Sequence, residues 1–385
     1  MLSSFASPTR RAVAPVIEDL ERRRLLSISL LDGVLYVKGT DTADDIRIDR
    51  DGERLRVIRN DVIRRFDYAD VGTIVVVGFN GHDDISVALN ITRRTSLYGG
   101  AGDDVIVGGG GRDAIFGGAG NDNLVGNGGN DSLRGEGGAD RLNGGGGADR
   151  CWGHDGNDVI YGSSGNDTLD GGEGHDQLYA QDGNDLVYGG AGEDRLFGDA
   201  GHDRLFGEDG HDDIYGGSGR NTLSGGRGND DLFGGDDDDE LFGGEHEDVL
   251  SGYGGNDYLD GGWGLDTLYG DNGHDTLYGD ENNDTIYAGS GDDWVDGGGD
   301  DDSIRGGSGD DTIYGGVDDD TILGDDGNDL LYGGDGDDIL DCVDGYRDSM
   351  YGDNGDDWLY GDYYHDRFFG GNDDDRFFDE YDNEF

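Results

Sequence analysis

The chain has 385 residues, with 81 Gly, 89 Asp plus Glu, 27 Lys plus Arg and only 2 Pro. Apolar residues make up 32% and the formal net charge is −62, whereas an ordinary soluble domain is nearer half apolar with far less Gly; a conventional thick-cored enzyme fold does not fit. So negative a chain repels nucleic acid and anionic lipid and calls for cations.

Taken in chain order, residues 1–27 lack the apolar stretch of a standard secretory signal, and the segment after Arg10-Arg11, a twin-Arg candidate, is broken by Glu18–Arg24. Leu20-Glu21-Arg22-Arg23-Arg24-Leu25-Leu26 resembles a leucine–glutamate–x–arginine–x–leucine–leucine sorting motif ahead of bacterial surface and secreted proteins. A charged lead-in is the alternative reading of this segment. Residues 28–96 read as β. Ile46-Arg47-Ile48 and Leu55-Arg56-Val57 alternate around Asp51-Gly52, a hairpin signal, and Ile74–Val77 and Ile85–Ile91 follow as strands. Two stretches, Gly39–Ile46 and Gly78–Ile85, are degenerate versions of the repeat that follows. The segment is expected to cap that repeat, with an independent small β domain as the alternative. Residues 1–96 hold 15 basic and 15 acidic side chains; the rest hold 12 and 74, with 75 of the 81 Gly. A boundary therefore falls near Leu97.

From Leu97 to Ile339 the chain divides into 27 units of nine residues without insertion or deletion. A unit reads aliphatic, x, Gly, Gly, x, Gly, x, Asp, x, as in Leu97–Val105. Position one is Leu, Ile or Val in 26 units, with Cys151 the exception; position eight is Asp in 26, with Asn221 the exception. Position three is Gly in 25 units, replaced by Ala180 and Ala288, and position six is Gly in 22. The period predicts a three-residue strand (positions nine, one and two) followed by a six-residue Gly/Asp turn. The middle side chain of the strand points inward and its neighbours outward. Two units close one 18-residue coil, so 27 units make 13.5 coils, roughly 65 Å long at about 4.8 Å per strand spacing. One aliphatic per unit is enough core for so thin a solenoid.

The turn accounts for glycine and charge together. Gly adopts positive φ without steric cost, and each position-eight Asp meets its counterpart 18 residues on: Asp104 near Asp122, Asp113 near Asp131. Carboxylates stacked at strand spacing repel strongly in a low dielectric, and a hard divalent cation reverses the sign. Calcium suits the pattern, with six to eight carboxylate and carbonyl oxygens in tolerant geometry. Magnesium demands a stricter octahedron, and no soft or imidazole ligand recurs, which argues against zinc or copper.

Units such as Gly99–Val107 and Gly189–Phe197 resemble the Gly-Gly-x-Gly-x-Asp-x-aliphatic-x nonapeptide of RTX repeat proteins, over about two thirds of the chain. The resemblance implies an all-β, right-handed parallel β-roll, with calcium held between same-side turns by the Asp side chains and turn carbonyls. Carried over residue by residue, the implied ligands are Asp104, Asp113, Asp122, Asp131, Asp140, Asp149, Asp158, Asp167, Asp176, Asp185, Asp194, Asp203 and Asp212 before Asn221. After it come Asp230, Asp239, Asp248, Asp257, Asp266, Asp275, Asp284, Asp293, Asp302, Asp311, Asp320, Asp329 and Asp338. Up to about 25 ions fit the gaps between turns, enough to bring the net charge into an ordinary range. The metal-free chain is expected to be largely disordered, binding and folding being one equilibrium.

In residues 340–385 the register slips by one across Leu340–Ser349, and further units from Met350 place Asp357, Asp366 and Asp375 at the ligand position; the first two join the implied ligand set. The aromatic, acidic end reads either as a cap or as an uncleaved export signal. No HExxH, G-x-S-x-G or Walker-type loop occurs, and Lys38 is the only lysine. His175, His202, His211 and His274 occupy position seven, on the turn surface. Cys151 and Cys342 lie more than ten coils apart, beyond disulfide reach. Position two is aromatic in 16 of 27 units, predicting exposed rows stacked at strand spacing on both sheets. No apolar run is long enough to span a membrane. The expectation is a secreted or cell-surface, non-enzymatic calcium-binding protein with a scaffold role. The alternatives are a calcium-dependent adhesin or surface-layer component that grips glycans, a cell surface or other β-rolls through the aromatic rows, and a non-catalytic fragment of an RTX enzyme or toxin.

Overall fold

In the computed structural model, which describes residues 28–362 and 365–378, each nonapeptide lays down one strand that pairs in parallel with the strand 18 residues on. Leu205 sits beside Leu223 and Leu223 beside Leu241; on the other face of the coil Leu196 sits beside Ile214 and Ile214 beside Leu232. Successive units alternate between two sheets, giving a parallel β-solenoid of about 17 turns with about 18 residues per turn. Among the described residues there is no α-helix, only the short 3-10 turn Tyr68–Asp70.

The position-one side chains form the core. Leu196, Leu205, Ile214 and Leu223 are fully buried, as are Cys151 and every other occupant of that position in the nine-residue units. Each buried aliphatic contributes about 1.5–3 kcal/mol, and stacking the units makes the contribution cumulative along the axis.

The strands are longer than the three residues expected. Most run from position nine through position five, as in Arg204–Asp209. Position two pairs (Phe206 with Ser224), position three drops out, and pairing resumes at position four (Glu208 with Gly226). The cause lies at position four, where φ is positive whether the residue is Gly217 (96°), Asp199 (67°) or Glu208 (79°). The chain turns a corner there, and because most coils turn at the same place the backbone keeps its partner; Val105–Val107 and Asn123–Val125 end at position two instead.

Residues 28–96 continue both sheets. Val34–Lys38 pairs in parallel with Thr73–Asn80, which pairs with Arg94–Ala101. On the other side Asp45–Asp51 pairs with Asp84–Val87, and that strand with Val105–Val107. Antiparallel strands close the two edges: Ile28–Leu31 on one sheet, and Arg54–Arg59 followed by Val62–Asp67 on the other. Ile46, Leu55, Ile74 and Ile85 join the same core cluster as the solenoid aliphatics. At the far end Leu330 pairs with Ser349, a 19-residue step, and the 18-residue step resumes at Ser349–Arg367. The twin-Arg pair, the sorting-type motif and the last seven residues of the aromatic end lie outside the described residues.

Candidate cation ladder

The position-eight aspartates line both edges of the solenoid, where the chain passes from one sheet to the other. Each is placed by its backbone. The Asp212 N–H donates to Asp230 Oδ1 at 2.8 Å, and the Asp212 carbonyl accepts the Asp231 N–H at 2.8 Å. Asp230 repeats the arrangement with Asp248. One edge carries this chain of bonds from Asp44 through Asp83 and Asp104 to Asp375. The other begins where Thr95 meets Asp113 and runs to Asp366.

One oxygen of each carboxylate is thereby used and the other is not. Of the aspartates expected as ligands, all except Asp113 and Asp366 leave Oδ2 buried without a hydrogen-bond partner. Their residues are nearly inaccessible, Asp212 being 1% exposed. The unused oxygen sits over the position-three glycine of its own unit. A Cβ placed on Gly189 would lie 2.7 Å from Asp194 Oδ2 and 2.8 Å from the Gly207 carbonyl oxygen of the next coil. Gly is required there by space rather than by φ, since a carboxylate oxygen and a carbonyl oxygen converge above its Cα. At position six the reason is different: Gly192 has φ of 139°, and a Cβ would collide with the Gly174 carbonyl.

Burial is the first cause that raises these carboxyls, and neighbouring carboxylates add to it, against the lowering effect of the backbone N–H. Asp212 rises to about 7, Asp248 and Asp320 to about 8. An oxygen that is desolvated, unpartnered and repelled by like charges along its row needs a proton or a cation. Carboxylate and carbonyl oxygens converging in pairs fit a hard divalent ion of calcium type; bound there, it would supply charge neutralisation and bridge adjacent coils.

Asn221 supplies an internal comparison. Its Oδ1 accepts the Asp203 N–H at 3.0 Å, and its Nδ2 donates to the Gly219 carbonyl at 2.8 Å. An amide satisfies itself in this slot; a carboxylate does not. Asp113 differs from the other aspartates because Thr95 Oγ1 donates to its Oδ1 and the Gly109 N–H to its Oδ2, both at 2.7 Å. Asp366 likewise spends both oxygens, on the Asp348 and Asp362 N–H groups. Neither presents a free oxygen. Conversely, Asp83 and Asp348 carry buried, unpartnered Oδ2 atoms although the nine-residue register passes over them. Of the five units that lack the position-six Gly, four keep the positive φ there, at His246, Asn282, Asp300 and Asp318; Asp237 does not, yet Asp239 stays in the ladder with Asp248, Asp284, Asp302 and Asp320.

The position-seven histidines lie exposed outside the ladder, His175 and His211 on one edge and His202 and His274 on the other. Nδ1 of His175, His202, His211 and His274 accepts a backbone N–H from the following same-side turn at 2.7–2.8 Å.

A solenoid whose coils are joined by a buried carboxylate ladder, nearly every rung short of one positive partner, belongs to the cation-binding β-rolls. The family model of the RTX calcium-binding nonapeptide repeat matches residues 94–341 in overlapping segments and again 348–378, and the chain is a member of that family. The gap in the match coincides with the unit containing Cys342. No curated protein sequence matches the chain.

Proposed function

We propose that this protein is a non-enzymatic extracellular scaffold that calcium folds. The carrying observation is the row of buried Oδ2 atoms without partners on both edges, which makes the metal-free roll electrostatically unstable at neutral pH. Low calcium inside a cell keeps such a chain unfolded for export, and the higher calcium outside falls in the range of extracellular calcium modules. Secretion or attachment at the cell surface follows from that logic, and up to about 25 ions is the upper bound of occupancy.

The aromatic rows support a scaffold role. Tyr161, Tyr179, Phe197, Tyr215 and Phe233 stack at 4.9–5.0 Å with nearly parallel planes. On the other sheet Tyr314, Tyr332, Tyr351 and Phe369 stack at 4.5–4.9 Å. Where Asp260 and Asp296 occupy position two, Tyr258 and Trp294 from position nine fill the row. Ring faces are covered by neighbouring rings, which stabilises short strands, and mainly the ring edges meet solvent. The second reading, a calcium-dependent adhesin for glycans or cell surfaces, draws on those edges, with Tyr287 at 40% and Phe369 at 45% exposure.

Circular dichroism during calcium titration tests the folding claim. The β signal should rise cooperatively with calcium, fall on adding chelator, and fail to appear with magnesium. A β signal indifferent to chelator contradicts it. Glycan-array binding in calcium separates adhesin from plain scaffold.

A further inference from the structure

The ten-residue unit that breaks the register carries a donor set unlike the rest of the ladder. Among the described residues, Asp329, Cys342 and Asp348 are the one place where three potential metal-ligating side chains bring their ligand atoms within 4.8 Å of one another. Asp329 is 2% exposed, Cys342 1% and Asp348 1%. Both Asp329 Oδ2 and Asp348 Oδ2 lack hydrogen-bond partners, and Cys342 is a free thiol. Pairing of Leu323 with Asp341 puts Cys342 in the slot of Gly324, position three. A Cβ on Gly324 would lie 2.7 Å from Cys342 Sγ and 2.5 Å from Asp329 Oδ2, so thiol and carboxylate share the space above one Cα. Every nine-residue unit has Gly or Ala at position three; the unit with a longer side chain there also has the extra residue.

We propose that Cys342, Asp329 and Asp348 form a single site for a borderline-soft divalent cation of zinc type, set within the ladder. Sulfur is a poor ligand for calcium and a good one for zinc, cobalt or cadmium, whereas the two carboxylates serve either class. Metal–sulfur and metal–oxygen bonds of about 2.3 and 2.1 Å place tetrahedral donors about 3.4–3.6 Å apart, so from the 4.8 Å limit a contraction of at most about 1.4 Å closes the site. On binding, the thiol proton passes to solvent, and the thiolate and two carboxylates offset the dication. The site stands on its own donors, independently of how calcium occupies the other rungs.

The test uses the full chain, reduced and folded in saturating calcium, titrated with cobalt(II). Wild type should bind one cobalt per chain with a thiolate-to-metal charge-transfer band in the near ultraviolet, undiminished by excess calcium. Cys342→Gly restores the usual position-three residue and should abolish the band while the calcium-induced β signal persists; Cys342→Ala, matching Ala180 and Ala288, is the second variant should the first misfold. Cys151→Ala, in the aliphatic core row, should keep the band. No band in the folded wild type, a band that survives loss of Cys342, or one displaced by equimolar calcium would overturn the proposal. Because the β signal is read separately, failure of the cobalt site is distinguishable from failure of calcium-driven folding.

Discussion

Replacing Asp212 by Asn separates the two roles that the ladder combines. The Asp212 carboxyl is buried, accepts the Asp194 N–H on Oδ1 at 2.9 Å and leaves Oδ2 without a partner. Asn221 shows that an amide in this slot keeps the inter-coil hydrogen bond and uses its Nδ2 on a local carbonyl. Raising the carboxyl from 3.8 to about 7 penalises its ionised form by about 4 kcal/mol at slightly alkaline pH. Without metal, Asp212→Asn should therefore stabilise the roll, by up to about 4 kcal/mol. With calcium the same change removes a ligand oxygen between Asp194 and Asp230, so the calcium concentration at half-folding should rise and fewer ions should bind. Urea unfolding at saturating calcium, repeated in chelator with a stabilising osmolyte, reads both signs. If the variant loses the same stability in both conditions, the carboxylate acts only as a hydrogen-bond acceptor and the reasoning fails.

The pH response has a defined direction. From Asp83 to Asp366 the ladder carboxyls sit above their ordinary 3.8, Asp122 at about 6 and Asp320 at about 8. Their contribution to the metal-free fold is complete below 3.8 and disappears as pH rises through about 6 to 8. In chelator the β signal should accordingly grow on acidification from pH about 8 to about 5, and over the same window protons should weaken calcium binding; a flat profile would contradict this. Gly189→Val places side-chain atoms where Asp194 Oδ2 and the Gly207 carbonyl converge, so it should cost about 1–3 kcal/mol and lower the calcium stoichiometry, read by unfolding and equilibrium dialysis. Leu205→Ala, at a fully buried core position, should cost about 2–5 kcal/mol at saturating calcium while leaving the number of bound ions nearly unchanged.

Strict periodicity made the solenoid, its sheet alternation and most of the ladder legible before any coordinates. A core aliphatic every nine residues and an Asp seven positions later leave little freedom in register. Strand length was not legible: Gly at positions three and four reads as turn, yet position three is Gly for space and position four for φ, and pairing resumes beyond the corner. Asp348 was hidden because the unit around Cys342 has ten residues, so the nine-residue count steps past it. Asp83 was hidden because its ladder neighbour Asp104 lies 21 residues on rather than 18, so the nine-residue count steps past it as well. Asp113 and Asp366 satisfy the motif, but Thr95, Gly109 and Asp362 saturate their oxygens, and such tertiary hydrogen bonds have no local sequence signal. The aromatic rows followed from position two, and positions nine and two were already read as facing outward together; which rings meet across the coils where Asp260 and Asp296 interrupt the row has no local sequence signal.

The proposed function requires calcium at the unpartnered Oδ2 atoms of the ladder. A crystal of the full chain grown in calcium, with anomalous differences measured at a wavelength where calcium scatters, reads it directly. Peaks should run along both edges beside the Oδ2 atoms of Asp194, Asp212 and Asp230 and their equivalents, and be missing or weaker beside Asn221. Waters alone in those positions, with the coils intact, would contradict it.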